Sequence, residues 1–159
     1  MENEKIDYMT PDKVISGSQG MVWVTYNDTN ERFAFARLIS LEAKAKLNKT
    51  ALPILGRSGK AHKIGSWEGE GSAKMYYCDS TMRQKVAAYK KTGKMFTMDI
   101  EVYNDDETSS LDAQCTTLKN CLLDEIVLAK IDAEAEYIDE DISFTFDDFD
   151  IPDTFELRV

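Results

Sequence analysis

Residues 137–152 read YIDEDISFTFDDFDIP, and the fold class turns on how this stretch is taken. From Ile142 the apolar residues fall on every second position, Ile142, Phe144 and Phe146, with Ser143 and Thr145 between them. A period of two sends successive side chains to opposite faces, the pattern of a strand with one face in a core. Asp147 and Asp148 then interrupt the alternation before Phe149, as an extra residue in a β-bulge does. A calcium loop would require a central glycine and a terminal glutamate that this run lacks, and alternate acids on a strand point to opposite sides. The acids therefore read as the solvated face of a final strand.

Working back along the chain, the same pattern recurs. Residues 21–26, MVWVTY, are apolar and β-branched and lead into the turn residues NDTN. Across 32–47 the odd positions Phe33, Phe35, Ile39, Leu41, Ala43, Ala45 and Leu47 are apolar, with Arg37 the exception, which predicts one long half-buried strand. TALPIL adds a short edge segment, because Pro53 cannot donate a ladder hydrogen bond. Three glycines and no acid in GRSGKAHKIGS predict a long extended loop over 56–66. WEGEGSAKMYYC alternates again, with Gly69 and Gly71 on one face, the mark of a bend or of a close approach by another backbone. A single helix is predicted over 79–93. Asp79 or Ser80 caps it, Met82, Val86 and Tyr89 form its apolar stripe, Lys90 and Lys91 suit its C-terminal dipole, and Gly93 stops it. Strand follows at 95–103. Residues 113–133 read as two strands or one bent strand, kinked near Asn120. Residues 1–15 read as a flexible N-terminal arm. Six to eight strands with one helix predict a mostly β chain: one domain over 1–159, an antiparallel sandwich or barrel with one flanking α-helix.

Composition narrows the classes. With 43% apolar and 10% aromatic residues, the chain can fill one core. No run approaches the roughly 20 apolar residues of a membrane span, and the charged N-terminus lacks the apolar segment of a signal peptide, so synthesis in the cytoplasm without a membrane anchor is expected. Cys78, Cys115 and Cys121 form no CxxC pair, which argues against a disulfide framework or a zinc knuckle. The net charge of -10 is unevenly spread. Residues 133–159 hold 10 acids and one base, whereas 44–63 hold six Lys or Arg, His62 and no acid. Opposite blocks on one chain suit a head-to-tail contact between copies. On this basis Arg57, Lys60, His62 and Lys63 are candidate contacts to a neighbouring copy of the chain, with Asp147, Asp148 and Asp150 as their counterparts. So acidic a chain is a poor wrapper of nucleic acid.

No catalytic constellation emerges. His62, the only histidine, has no nucleophile or orienting partner nearby in sequence. EGEGS resembles a phosphate-cradling loop but lacks the Lys-Ser/Thr that completes one. Trp67, Tyr76 and Tyr77 could stack bases, but without a basic patch they read as core or interface packing. No enzyme activity, cofactor or metal is expected.

The runs ISGSQGMVWV, ALPILGRSGKAHKIGSWEGEGSAKMYY, GKMFTMDIEV and VLAKIDAEAEYIDEDISFTFDDFDIPDTF resemble the PBSX-type (XkdM-like) tail tube proteins of contractile phage tails. The resemblance runs from about Ile15 to Phe155. It implies a structural tube subunit in a virion tail or a phage tail-like particle (tailocin). Six copies would form a ring, and rings would stack into a hollow tube inside a sheath, with a baseplate or tube initiator at one end and a tail terminator at the other. Sheath contraction would drive the tube through the target envelope, and DNA may pass along the lumen without specific binding. The long loop would reach a neighbouring subunit or ring. Two other classes stay open from the sequence: the tube of a type VI-like secretion system, and a cytosolic non-enzymatic binding module.

Overall fold

The computed structural model describes residues 9–158. After a 3-10 turn at Pro11–Lys13, the elements run β1 Gly20–Tyr26, β2 Arg32–Ala34, β3 Leu38–Leu52, β4 Ala61–Tyr76, α1 Thr81–Thr92, β5 Met98–Asn104, β6 Gln114–Glu125, β7 Asp139–Phe146 and β8 Asp148–Asp153. All named strand pairs are antiparallel, in the order β2-β1-β5-β6-β7-β4-β3, and β8 lies beside β6. The mostly β, antiparallel architecture with one helix agrees with the sequence reading.

β6 belongs to two sheets. Its first half pairs with β5 and β8, and its second half pairs with β7, which carries β4 and β3 beyond it. The turn between the halves falls at Asn120, whose φ is 54°. Between the pairs Met98↔Cys121 and Ile100↔Leu118, β5 has only Asp99 where β6 has Lys119 and Asn120. Two residues against one is a bulge, and a bulge bends its strand. The Asn120 N–H that leaves the ladder donates to Asp99 Oδ1 at 3.0 Å. On the far side of β6, the pairs Leu122↔Thr145 and Leu118↔Phe149 share one register, so Asp147 stands opposite Asn120. Asp147 N–H donates to the Lys119 carbonyl at 3.1 Å. β7 and β8 are therefore one path that follows β6 around the corner, and the predicted break at Asp147 is that turn.

The two sheets enclose one core, in which the alternating Ile142, Phe144 and Phe146 meet Val24, Met75, Met98, Ile100 and Leu118. Helix α1 contributes Met82 to it. Asp79 starts the helix, accepting from the Thr81 N–H at 2.9 Å and the Thr81 hydroxyl at 2.8 Å, which holds its carboxyl below the usual range. Gly93, at φ 76°, closes the helix with its N–H on the Tyr89 carbonyl. Lys85 places its ammonium 4.4 Å from the Tyr26 ring centroid, a cation–π contact beside the core.

Three expectations are revised. The strand predicted over 32–47 is broken at 35–37, because Arg37 turns inward to the buried Glu140, and β3 then continues to Leu52. The segment 56–66 is not a continuous loop, since Ala61–Ser66 pair with β3 as the start of β4. Part of the arm predicted at 1–15 lies outside the described residues, and the rest is docked. The Asp12 carbonyl accepts from Ser110 N–H at 2.8 Å and Ser109 Oγ at 3.0 Å, and Ser16 N–H donates to Asp106 at 2.9 Å. The chain's other end meets the same loop, where Arg158 N–H donates to the Ser110 carbonyl at 2.7 Å.

Candidate assembly surface

Pairing of β4 with β7 runs only from Gly69 to Tyr76, whereas pairing of β3 with β4 continues out to Leu52↔Ala61. The outer eight residues of β4 thus stand beyond the body with β3 as their strand partner, a projection of about 26 Å at roughly 3.3 Å per residue. A two-stranded ribbon has no core of its own and is marginal in water. This one also leaves apolar side chains in solvent: Leu47 is 50% exposed, Ile64 54%, and Leu55 at its turn is fully exposed. The root is fixed by aromatic packing, with the Trp67 ring 5.3 Å from Phe149 and 6.3 Å from Phe146, and by Asn48 Nδ2 donating to Ser66 Oγ at 3.0 Å. Beyond the root, Gly65 is the extra residue of a bulge between Asn48↔Ser66 and Lys49↔Ile64.

The outer edge of β3 has no strand partner among the described residues, although it is 15 residues long. So long an unpaired edge is a template for another strand. The register places Lys44 opposite Glu70 and Lys46 opposite Glu68 on the solvent face, two cross-strand pairs of opposite charge.

The residues singled out from sequence fall into two separate groups. Arg57 and Lys60 lie in the hairpin turn, and His62 and Lys63 lie on outer β4 opposite Ala51 and Thr50; all four are exposed. Asp147, Asp148 and Asp150 are exposed at the corner beside β6. Within one chain the two groups do not meet. Asp150 already has a partner, Lys119 Nζ at 2.7 Å, and that carboxylate raises the Lys119 pKa. Among the described residues, no three His, Cys, Asp or Glu side chains converge as a metal site, and no helix is long and apolar enough to cross a membrane.

Sequence reading missed the main buried charge. Glu140 is 2% exposed, held by Arg37 at 3.1 Å and by Arg83, whose guanidinium stacks 4.4 Å from the Tyr77 ring. The cluster ties α1 to β7 and to the crossing at Arg37. Its signal was present, since Glu140 shares the inward period of Ile142, Phe144 and Phe146. Burial also pushes the Cys121 thiol up to about 12, a structural and unreactive thiol.

The family model described as phage tail tube protein matches residues 7–153. The phage-like element PBSX protein XkdM of Bacillus subtilis (strain 168) is 30% identical over 139 residues, covering 87% of this chain and 90% of that protein. Among solved structures, a chain of the PVC extracellular contractile injection system sheath/tube terminator superposes with a TM-score of 0.67 at 10% identity, covering 94% of this chain and all of that one. A chain of the six-fold symmetrised anti-feeding prophage baseplate gives 0.65 at 13% identity, covering 91% and 97%. The chain belongs to the phage tail tube proteins, which are structural components and not enzymes.

Proposed function

We propose that six copies of this chain close into a ring and that the rings stack head to tail into the tube of a contractile tail, in a phage virion or a tailocin. The observation that carries this reading is the projecting hairpin. A ribbon of about 26 Å with Leu47, Leu55 and Ile64 in water is costly on a monomer and useful on a subunit whose neighbour covers it. The unpaired β3 edge supports the same reading, because closing a ring of sheets removes every edge. The six-fold baseplate that contains a chain of this fold supports the number of copies. In such a particle the tube's partners are the sheath, the baseplate or tube initiator, and the tail terminator. In a phage, DNA would pass along the lumen without specific binding, in keeping with a chain whose acids outnumber its bases.

Negative-stain electron microscopy of concentrated protein tests the proposal. Rings or tubes are expected, and Lys60→Glu with Lys63→Glu should suppress them while leaving the monomer's melting curve in place. A protein that stays monomeric at high concentration, with a tail initiator present, rules the tube out.

A further inference from the structure

We infer that the hairpin of one copy seats on the loop 126–138 of the next, an acidic and apolar surface that stands at the opposite end of the same sheet. The inference rests on the tube reading and names the receptor within it. β4 runs from the hairpin turn to Tyr76, and Tyr76 pairs with Asp139, where the loop ends. One end of the β3–β4–β7 sheet therefore bears the hairpin and the other bears the loop, about 50 Å away along the 16 residues of β4. A contact between the two ends joins unlike surfaces and propagates in one direction, as stacking requires.

The two surfaces match in chemistry. The loop exposes Leu128 at 70%, Ile131 at 93% and Tyr137 at 60%, with the exposed acids Asp132, Glu134 and Glu136 among them. The hairpin exposes Leu52, Ile54, Leu55 and Ile64 among Arg57, Lys60 and Lys63. The hairpin holds no acid, and the loop is net acidic, its one base Lys130 being paired with Asp139 at 3.2 Å, so the two apolar patches carry opposite net charge, which suits one partner and one direction. The loop is also held ready. Arg83 donates to the Val127 carbonyl at 3.4 Å, Lys130 Nζ donates to the Asp139 carbonyl at 2.8 Å, and the Tyr137 ring packs 5.6 Å from Tyr76. These contacts hold the loop while Leu128 and Ile131 stay in solvent. Asp147, Asp148 and Asp150 suit this role less well, because they lie at the corner just past Phe146, which pairs with Gly69 at the hairpin's own root.

Charge exchange tests the pairing. Glu134→Lys with Glu136→Lys, and separately Lys60→Glu with Lys63→Glu, should each raise the critical concentration for assembly by about tenfold or more, with monomer melting unchanged. The four changes combined should return assembly toward the wild-type value. Glu134→Gln with Glu136→Gln gives a milder loss of the same sign and serves if the reversal perturbs the monomer. Wild-type-like assembly of the loop variants, or a combined variant no better than either pair, overturns the loop as receptor and leaves the tube standing. Wild-type protein that forms no rings or tubes at high concentration with a tail initiator present overturns both.

Discussion

Gly71 and Gly69 lie beneath the rings of Phe144 and Phe146, their cross-strand partners. A Cβ built on Gly71 would stand 2.5 Å from the Phe144 ring and 3.0 Å from the Glu42 carbonyl oxygen, and one on Gly69 would stand 2.3 Å from the Phe146 ring. The rings occupy the space that side chains would need, so a pair of weak strand formers is compensated by the strand beside it. Gly71→Ala should therefore cost about 1–3 kcal/mol, the usual penalty of overpacking. Gly65→Ala, with nothing within 4 Å, should fall within about 0.5 kcal/mol of wild type. Urea unfolding of the two variants checks the contrast, and equal midpoints would mean that the rings do not cover Gly71. Spacing alone disclosed that something approaches these glycines. The expected backbone approach is present at Gly71, in the Glu42 carbonyl; the aromatic rings were not disclosed, because they depend on a register set by β7, more than 60 residues further along.

The corner shared by β6 and the β7–β8 path is the element on which the two-sheet arrangement depends. Asn120 has φ 54° there, and Asn enters the left-handed region more readily than most residues. Asn120→Gly should be nearly neutral, whereas Asn120→Val should cost about 2 kcal/mol, since a β-branched residue at positive φ is strained. Thermal melting of the pair measures the difference, and a Val variant as stable as wild type would show that the corner does not need this conformation. Both bends were legible in the sequence, one near Asn120 in the run KNC and one at Asp147 from the broken alternation. The hairpin was legible only in part. Gly56, Gly59 and Gly65 lower local strand preference, and the pairing that makes Ala61–Ser66 a strand comes from β3. The strand reading of 113–133 misled in the opposite sense, since β6 ends at Glu125. The apolar side chains beyond it suggested strand, yet hydrophobicity alone does not separate a residue buried in its own domain from one left exposed, as Ile131 is at 93%.

Over the whole molecule, stability and assembly belong to different residues. None of residues 49–65 is buried, so the outer hairpin contributes little to the monomer. Under the proposed tube, its exposed apolar and basic side chains would be covered by another copy. Replacing 49–65 with Asn-Gly would join the paired residues Asn48 and Ser66 through a two-residue turn suited to a hairpin, and would leave the Trp67 root intact. The shortened chain should melt within about 4 °C of wild type, as expected for a change below about 1 kcal/mol, and should give no rings or tubes at concentrations where wild type assembles. Calorimetry and electron microscopy on the same samples separate the two effects. A large drop in melting temperature would make the hairpin part of the fold, and undiminished tubes would remove it from the contact. Loss of assembly from a monomer of unchanged stability places the hairpin's role in the joint between copies.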